Sequence, residues 1–198
     1  MADARTIAFY DGAADRYDAL TNKGAPDQDL SAFIALMPAG ARVLDLGCGP
    51  ARASAHMRDA GLAPDPVDAS TGMVKLANQT HDIGARLMHF DDLDTVSGYD
   101  GVWANFSLLH APRADLPRHL RAIATALKPQ GILHIGMKTG TGVRRDALDR
   151  HYTFVTIREL TDLVTDAGMT VLATREGRDT GCAGTIDDFV IMRARKDG

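Results

Sequence analysis

Residues 43–50 read Val-Leu-Asp-Leu-Gly-Cys-Gly-Pro. A buried-looking strand runs into two glycines and then into a helix N-terminus. In a sheet wound from such units this turn lies at the carboxyl edge, where ligands bind, and glycines let a ligand approach the backbone closely. A dinucleotide would set its pyrophosphate against the helix N-terminus, but it prefers G-x-G-x-x-G, and Arg52 stands at the third glycine position. Asp45, two residues before Gly47, is more telling. Its carboxylate would repel a pyrophosphate and attract an ammonium or a sulfonium. Two unit charges ~4 Å apart interact by roughly 4 kcal/mol at an effective dielectric of about 20, enough to choose between an anionic and a cationic ligand.

Outward from this stretch, strands and helices alternate. Residues 7–20 carry apolar positions at helical spacing, including Tyr10 and Tyr17 on one face, and 21–26 break the pattern. A short helix is expected over 29–37. After the strand 42–46 come a helix at 51–60 capped by Gly61, a strand at 64–68 weakened by Pro64 and Pro66, and a helix capped by Ser70. Strands follow at 85–90 and 99–104. Leu116, Leu120, Ile123 and Leu127 share one helical face. A strand at 132–137, a long aperiodic stretch at 138–156, a helix at 157–167 and two final strands at 169–174 and 189–195 complete the chain. The pattern predicts an α/β fold. Its seven-stranded, mostly parallel sheet is doubly wound, carries helices on both faces, and ends in an antiparallel strand pair. One domain spans 1–198, with 1–37 as an N-terminal helical cap and 138–156 overhanging the carboxyl edge.

The 198 residues carry a net charge of −4, which offers no ready basic face for nucleic acid. Two distant cysteines, Cys48 and Cys182, form neither a disulfide framework nor a zinc spacing, and fit a reducing cytoplasm. The opening M-A-D-A-R-T has no apolar core of a leader, and no apolar run reaches bilayer length, so no membrane association is expected. The histidines lack metal-ligand spacing, and no metal is expected.

Five segments in order carry a family resemblance. V-L-D-L-G-C-G-P resembles the first motif of class I S-adenosylmethionine-dependent methyltransferases, and V-D-A-S-T-G-M resembles their second-strand motif. F-D-D-L-D is similar to the adenine-edge motif, Y-D-G-V-W-A-N-F-S-L-L-H to the fourth strand and its loop, and L-K-P-Q-G-I-L-H-I-G to the entry into the fifth strand. The resemblance implies a Rossmann-like methyltransferase fold, with S-adenosylmethionine as cofactor and S-adenosylhomocysteine as product. Asp45, Gly47 and Gly49 would hold the methionine end, and Asp68 the ribose. Ala69 and Met73 would line the adenine pocket, and Asp91, Asp92 and Leu93 would flank its edge. Asn105 would bound the sulfonium side. Similar N-terminal segments form a lid, which would bring Tyr10 and Tyr17 to the cofactor. Pro50-Ala51 departs from the commoner small-polar and glycine pair.

The acceptor side is less legible. His110 reads either as a base at the acceptor pocket or as a solvent-facing histidine. Arg144, Arg145, Arg150 and His151 read either as a cluster receiving an acidic substrate or as charges paired with Asp146 and Asp149. Cys48 reads as a small apolar filler. The expected activity is methyl transfer to a small-molecule acceptor. A non-catalytic module binding the cofactor or its product is the alternative. An NAD-type oxidoreductase is disfavoured by Asp45 and Arg52, and a nucleic-acid enzyme by the absence of D/N-P-P-aromatic after the fourth strand, where Ala104-Asn105-Phe106-Ser107 stand.

Overall fold

The computed structural model describes residues 3–21 and 24–198, so the predicted break at 21–26 and the side chain of Leu20 fall partly or wholly outside the described residues. The chain runs α1 (Ala4–Thr21), α2 (Gln28–Ile34), β1 (Arg42–Leu46), α3 (Arg52–Asp59), β2 (Ala63–Asp68), α4 (Thr71–His81), β3 (Arg86–Leu87) and β4 (Tyr99–Asn105). It continues α5 (Leu116–Ala126), β5 (Leu127–Lys138), β6 (Val143–Arg145), β7 (His151–Thr153), α6 (Ile157–Asp166), β8 (Met169–Thr180) and β9 (Ile186–Lys196). Seven strands form one sheet in the order β3-β2-β1-β4-β5-β9-β8. Only β9 runs against its neighbours, as the lack of a helix between the last two strands requires.

Alternation along the strands fills two cores. Leu44 and Val102 point to the face covered by α5 and α6, where Leu120, Ile123, Leu160 and Val164 are buried. Val43 and Trp103 point to the other face, against Phe33 of α2 and Met57 of α3. Burying both faces is what produces near-continuous apolar strands in a parallel sheet.

β2 shows why its two prolines do no harm. The amide of Ala63 donates to Ala41, so the odd-numbered donors of β2 face β1. Pro64 and Pro66 therefore face the β3 side, where pairing begins only at Val67. No ladder bond is lost, and the outer strand is kept short. The strand expected over 85–90 is accordingly only Arg86–Leu87, and Phe90–Asp92 forms a 3-10 turn.

The stretch 138–156 is not structureless. β6 and β7 pair as an antiparallel hairpin standing above the sheet's carboxyl edge. α1 bridges from this hairpin to α4 and α3. Arg145 holds Asp3 at 2.6 Å, Asp11 accepts from Ser70 Oγ at 2.7 Å and from the Gly72 amide at 3.0 Å, and Asp18 pairs with Arg52 at 2.6 Å. Midway, Ala13 leaves helical geometry at φ −124°, ψ 16°, so α1 is two helical segments meeting at a kink.

Gly72 lets the first segment dock. A Cβ there would lie 2.7 Å from the Asp11 carbonyl oxygen and 2.9 Å from its Cα. Gly72→Ala is therefore expected to lift α1 off α4 at a cost of about 1–3 kcal/mol. Amide exchange in α1 should accelerate while β1 and β4 stay protected, and uniform exchange across the molecule would show that the contact is not local.

Candidate active site

β1 delivers Asp45 to the sheet edge, 2% exposed, where Oδ2 accepts from the buried Ser54 Oγ of α3 at 2.7 Å. Burial, reinforced by the nearby Asp68 carboxylate, pushes its pKa up to about 7, while the Ser54 hydrogen bond acts in the opposite sense. The turn that follows uses its own donors. Gly47 and Cys48 amides both reach the Val67 carbonyl at 2.9 Å, and the Gly49 amide donates to Asp68 Oδ2 at 2.8 Å. No nest of unpaired N–H groups is left at these positions for a phosphate. Asp68 Oδ1 accepts from the Ser70 amide at 2.9 Å, and burial raises this carboxyl's pKa as well. Neither carboxylate has an ion-pair partner among the described residues.

Gly47 is required by conformation and by space. Its φ is +80°, and a Cβ would meet Ser107 Cβ at 2.4 Å. Ser107 in turn donates to the Leu46 carbonyl at 2.6 Å, locking the end of β4 onto the end of β1. The chain reaches Ser107 through Phe106 at φ 55°, a strained setting for an aromatic residue. Ala51, in the position that departs from the motif, also lies in the left-handed region at φ 57°.

A cavity opens beside this turn. Asp68, Ala69, Met73, Met88 and Phe90 line one end. Gly47, Gly49, Asn105 and Ser107 line its middle, and Tyr10, Tyr17 and His110 its other wall. A second recess continues past Tyr17, Gly47, Gly49 and Asn105 to Asp45, Cys48, Arg52 and Trp103. The structure thus gathers Asp45, Gly47, Gly49, Asp68, Ala69, Met73, Asn105, Tyr10, Tyr17 and His110 around one continuous space. Asn105 Oδ1 lies 3.2 Å from Nε2 of His134, which stacks on Trp103 with ring centroids 3.6 Å apart.

Other sequence candidates stand elsewhere. Asp91 pairs with Arg118 at 2.6 Å, Asp92 accepts from the His89 amide at 3.0 Å, and Leu93 is packed in the core, so Met88 and Phe90 form the wall at that end. Arg144 pairs with Asp187 at 2.8 Å and Arg145 with Asp3, while His151 Nε2 lies 3.1 Å from Thr153 Oγ1. These three belong to the hairpin and its anchorage, and none borders the cavity.

His110 is set by its two neighbours. Nδ1 lies 2.7 Å from the His151 carbonyl, which can only accept, so Nδ1 carries the proton. Nε2 therefore presents a lone pair, 3.0 Å from Tyr10 Oη. Burial first, and Arg150 next among the lowering influences, bring the His110 pKa down to about 4, so the ring is neutral. Sequence reading missed Ser54, Ser107, Met88, Phe90 and Asp11. A serine nine residues after Asp45, on the first turn of the following helix, was the one available signal for Ser54.

The chemistry fits a cationic adenosyl ligand. Two buried acids have no counter-ion among the described residues, Gly49 leaves its Cα open to close approach, and Asp68 faces the cavity with its carboxylate held by backbone amides alone. Comparison with known proteins agrees. The family described as methyltransferase domain matches residues 22–174. The ubiquinone biosynthesis O-methyltransferase of Xanthomonas axonopodis pv. citri is 30% identical over 153 residues, covering 67% of this chain and 63% of that protein. A putative methyltransferase of Bacillus subtilis, YqeM, is 28% identical over 132 residues, covering 63% of this chain and 53% of its own length. The chain thus matches less than two thirds of the length of these curated relatives. Among solved structures, the Burkholderia thailandensis 1,6-didemethyltoxoflavin-N1-methyltransferase, with 1,6-didemethyltoxoflavin and S-adenosylhomocysteine bound, has a TM-score of 0.79 at 24% identity, covering 98% of this chain and 88% of that one. A S-adenosylmethionine-dependent methyltransferase of Methanosarcina mazei has a TM-score of 0.76 at 16% identity, covering 87% and 98%.

Asp45 makes stability fall with pH. Folded, it keeps its proton to about pH 7, whereas unfolded it releases it near the ordinary carboxylate value. Between these limits the unfolded chain binds fewer protons, so stability drops as pH rises. Asp45→Asn should remove that slope and gain on the wild type between pH 5 and pH 8, by about 1 kcal/mol or more, roughly 2–4 °C in Tm. Thermal melts at the two pH values check this, and a difference independent of pH would mean the carboxylate ionises freely in the fold.

Proposed function

This chain belongs to the family of S-adenosylmethionine-dependent methyltransferase domains, and from that premise we propose that it moves a methyl group onto a small-molecule acceptor. The observation that carries the reading is the self-satisfied glycine turn flanked by the unpaired acids Asp45 and Asp68. S-adenosylmethionine supplies a methyl group already activated by positively charged sulfur. The protein's part is to align the acceptor and exclude water.

In this reading Asp45, Gly47 and Gly49 hold the methionine end, Asp68 takes the ribose, and Ala69, Met73, Met88 and Phe90 enclose the adenine. Asn105 bounds the sulfur. Of the expected cap 1–37, α1 acts as the lid, whereas α2 is built into the sheet's core through Leu30 and Phe33. Tyr17, close against Gly49, covers the methionine end, and Tyr10 closes the acceptor end. His110 meets the acceptor as a neutral base. Asp91 and Asp92, already engaged with Arg118 and the His89 amide, are poorly placed to read the exocyclic amine. The hairpin within 138–156 anchors the lid through Arg145 and closes the acceptor side. The net charge of −4 supports a small acceptor over nucleic acid, and the free thiols Cys48 and Cys182 suit a reducing cytoplasm. Among the described residues no helix is long and apolar enough to cross a membrane.

A thermal-shift panel tests the reading. S-adenosylmethionine and S-adenosylhomocysteine are expected to raise the Tm, and NAD and NADP to leave it unchanged. Asp68→Ala should weaken S-adenosylhomocysteine binding about 10–100-fold, the worth of one or two hydrogen bonds to a charged group. Stabilisation by NAD instead would overturn the assignment.

A further inference from the structure

We propose that the methyl acceptor is an aromatic hydroxyl, whose oxygen takes the station now filled by the Tyr10 hydroxyl between His110 and Arg150. The inference rests on the function proposed above and names its substrate class.

The station is built from two fixed groups. Tyr10 Oη lies 3.0 Å from His110 Nε2 and 3.1 Å from Arg150 Nη1. Arg150 only donates, and the His151 carbonyl forces Nε2 to be an acceptor. One atom is thus asked for a lone pair by the guanidinium and for a proton by the imidazole. A hydroxyl oxygen meets both demands and keeps a second lone pair to attack the methyl group. A neutral amine has a single lone pair, and giving it to Arg150 would end its nucleophilicity. An ammonium would face the guanidinium charge.

Arg150 does not depend on Tyr10 for its place. It is 2% exposed, and its Nε and Nη2 hold Asp146 Oδ2 at 3.0 and 2.6 Å. Its charge remains when Tyr10 swings away and can stabilise a developing oxyanion. The surroundings suit a ring. Tyr10 is met edge to face by Tyr17 and His110 at centroid distances of 5.3 and 5.6 Å, and neither ring sits on the α1 segment that carries Tyr10. Acidity points the same way, because a histidine held neutral so far below its usual range is a weak base. A phenol, which ionises near pH 10 as tyrosine does, gives up its proton far more readily than an alkyl hydroxyl.

Tyr10 can leave because it sits on the α1 segment ahead of the kink at Ala13. That segment is fastened by polar contacts, those of Asp3 with Arg145, Arg5 with Asp149, Thr6 with the His151 amide and Asp11 with α4, rather than by the sheet's core. With a phenol in the station, the oxygen forms its bond to the methyl carbon while the carbon–sulfur bond breaks, its electron pair going to sulfur. The phenolic proton passes to His110 Nε2, and the resulting imidazolium releases it to solvent when the segment opens. Products are the aryl methyl ether, the neutral thioether and one proton.

The test uses ring-matched probes on protein saturated with S-adenosylhomocysteine. By calorimetric titration, 4-methylphenol should bind at least tenfold more tightly than 4-methylaniline or 4-methylanisole. Equal binding, a preference for the amine, or undetectable phenol binding overturns the proposal. Tyr10→Ala empties the station by deleting a phenol-sized group. With methyl-labelled S-adenosylmethionine it should label 4-methylphenol at least tenfold faster than wild type, and adding Arg150→Met should abolish the gain. A Tyr10→Ala protein that binds S-adenosylhomocysteine yet labels no faster than wild type also overturns it. If that variant does not fold, the wild-type titration decides. Failure of the wild type to bind S-adenosylhomocysteine at all would instead count against the function proposed above.

Discussion

The glycine turn after β1 is governed by one constraint, that its amides are already bonded to β2. The Val67 carbonyl takes two of them and the Asp68 carboxylate takes the third. This requires β1 and β2 to be parallel in the observed register, with Leu46 opposite Val67, so that the end of one strand caps the end of the other. It also requires Ser107 to pin the end of β4 from the opposite side. With its donors consumed and two acids beside it, the turn turns away phosphates and welcomes positive charge.

Charge is sorted along the cavity as a result. Buried acids with no ion-pair partner among the described residues, which a bound cation would help to ionise, stand at the proposed cofactor end, and the guanidinium of the buried Arg150–Asp146 pair stands behind Tyr10 at the other. In the reading proposed above, the acids favour a positive sulfur before transfer, and the guanidinium favours electron density on an acceptor atom. Each end prefers the ligand that the other would reject, so electrostatics can orient both reactants before any base acts.

The fold, and the gathering of Asp45, Gly47 and Asp68 at one cavity, were legible because strand-borne residues are placed by periodicity. Asp45, Gly47 and Asp68 stand at strand ends, and strand ends stand at one edge of the sheet. Residues whose positions depend on partners distant in the chain were not legible. The spacing of Pro64 and Pro66 did not say which side of β2 they would face, nor that β3 would be short as a result. The stretch 138–156 lacks a period because its strands are only three residues each, too short to show alternation. Arg144 and Arg145 read as candidates for an acidic substrate, but their partners Asp187 and Asp3 lie 43 and 142 residues away, where no local pattern reveals them. Arg150, their neighbour, turned inward because Asp146 lies one helical turn's count behind it and can hold it in a tight loop.

If α1 serves as the lid proposed above, the kink at Ala13 makes it a door of two leaves rather than a single panel. The first leaf carries Tyr10 and latches onto α4 and the hairpin; the second carries Tyr17 and latches onto α3. With separate latches, the leaf over the acceptor can swing while the leaf over the methionine end stays shut. On that proposal traffic through the two doorways is uncoupled, and one reactant can be exchanged while the other is retained.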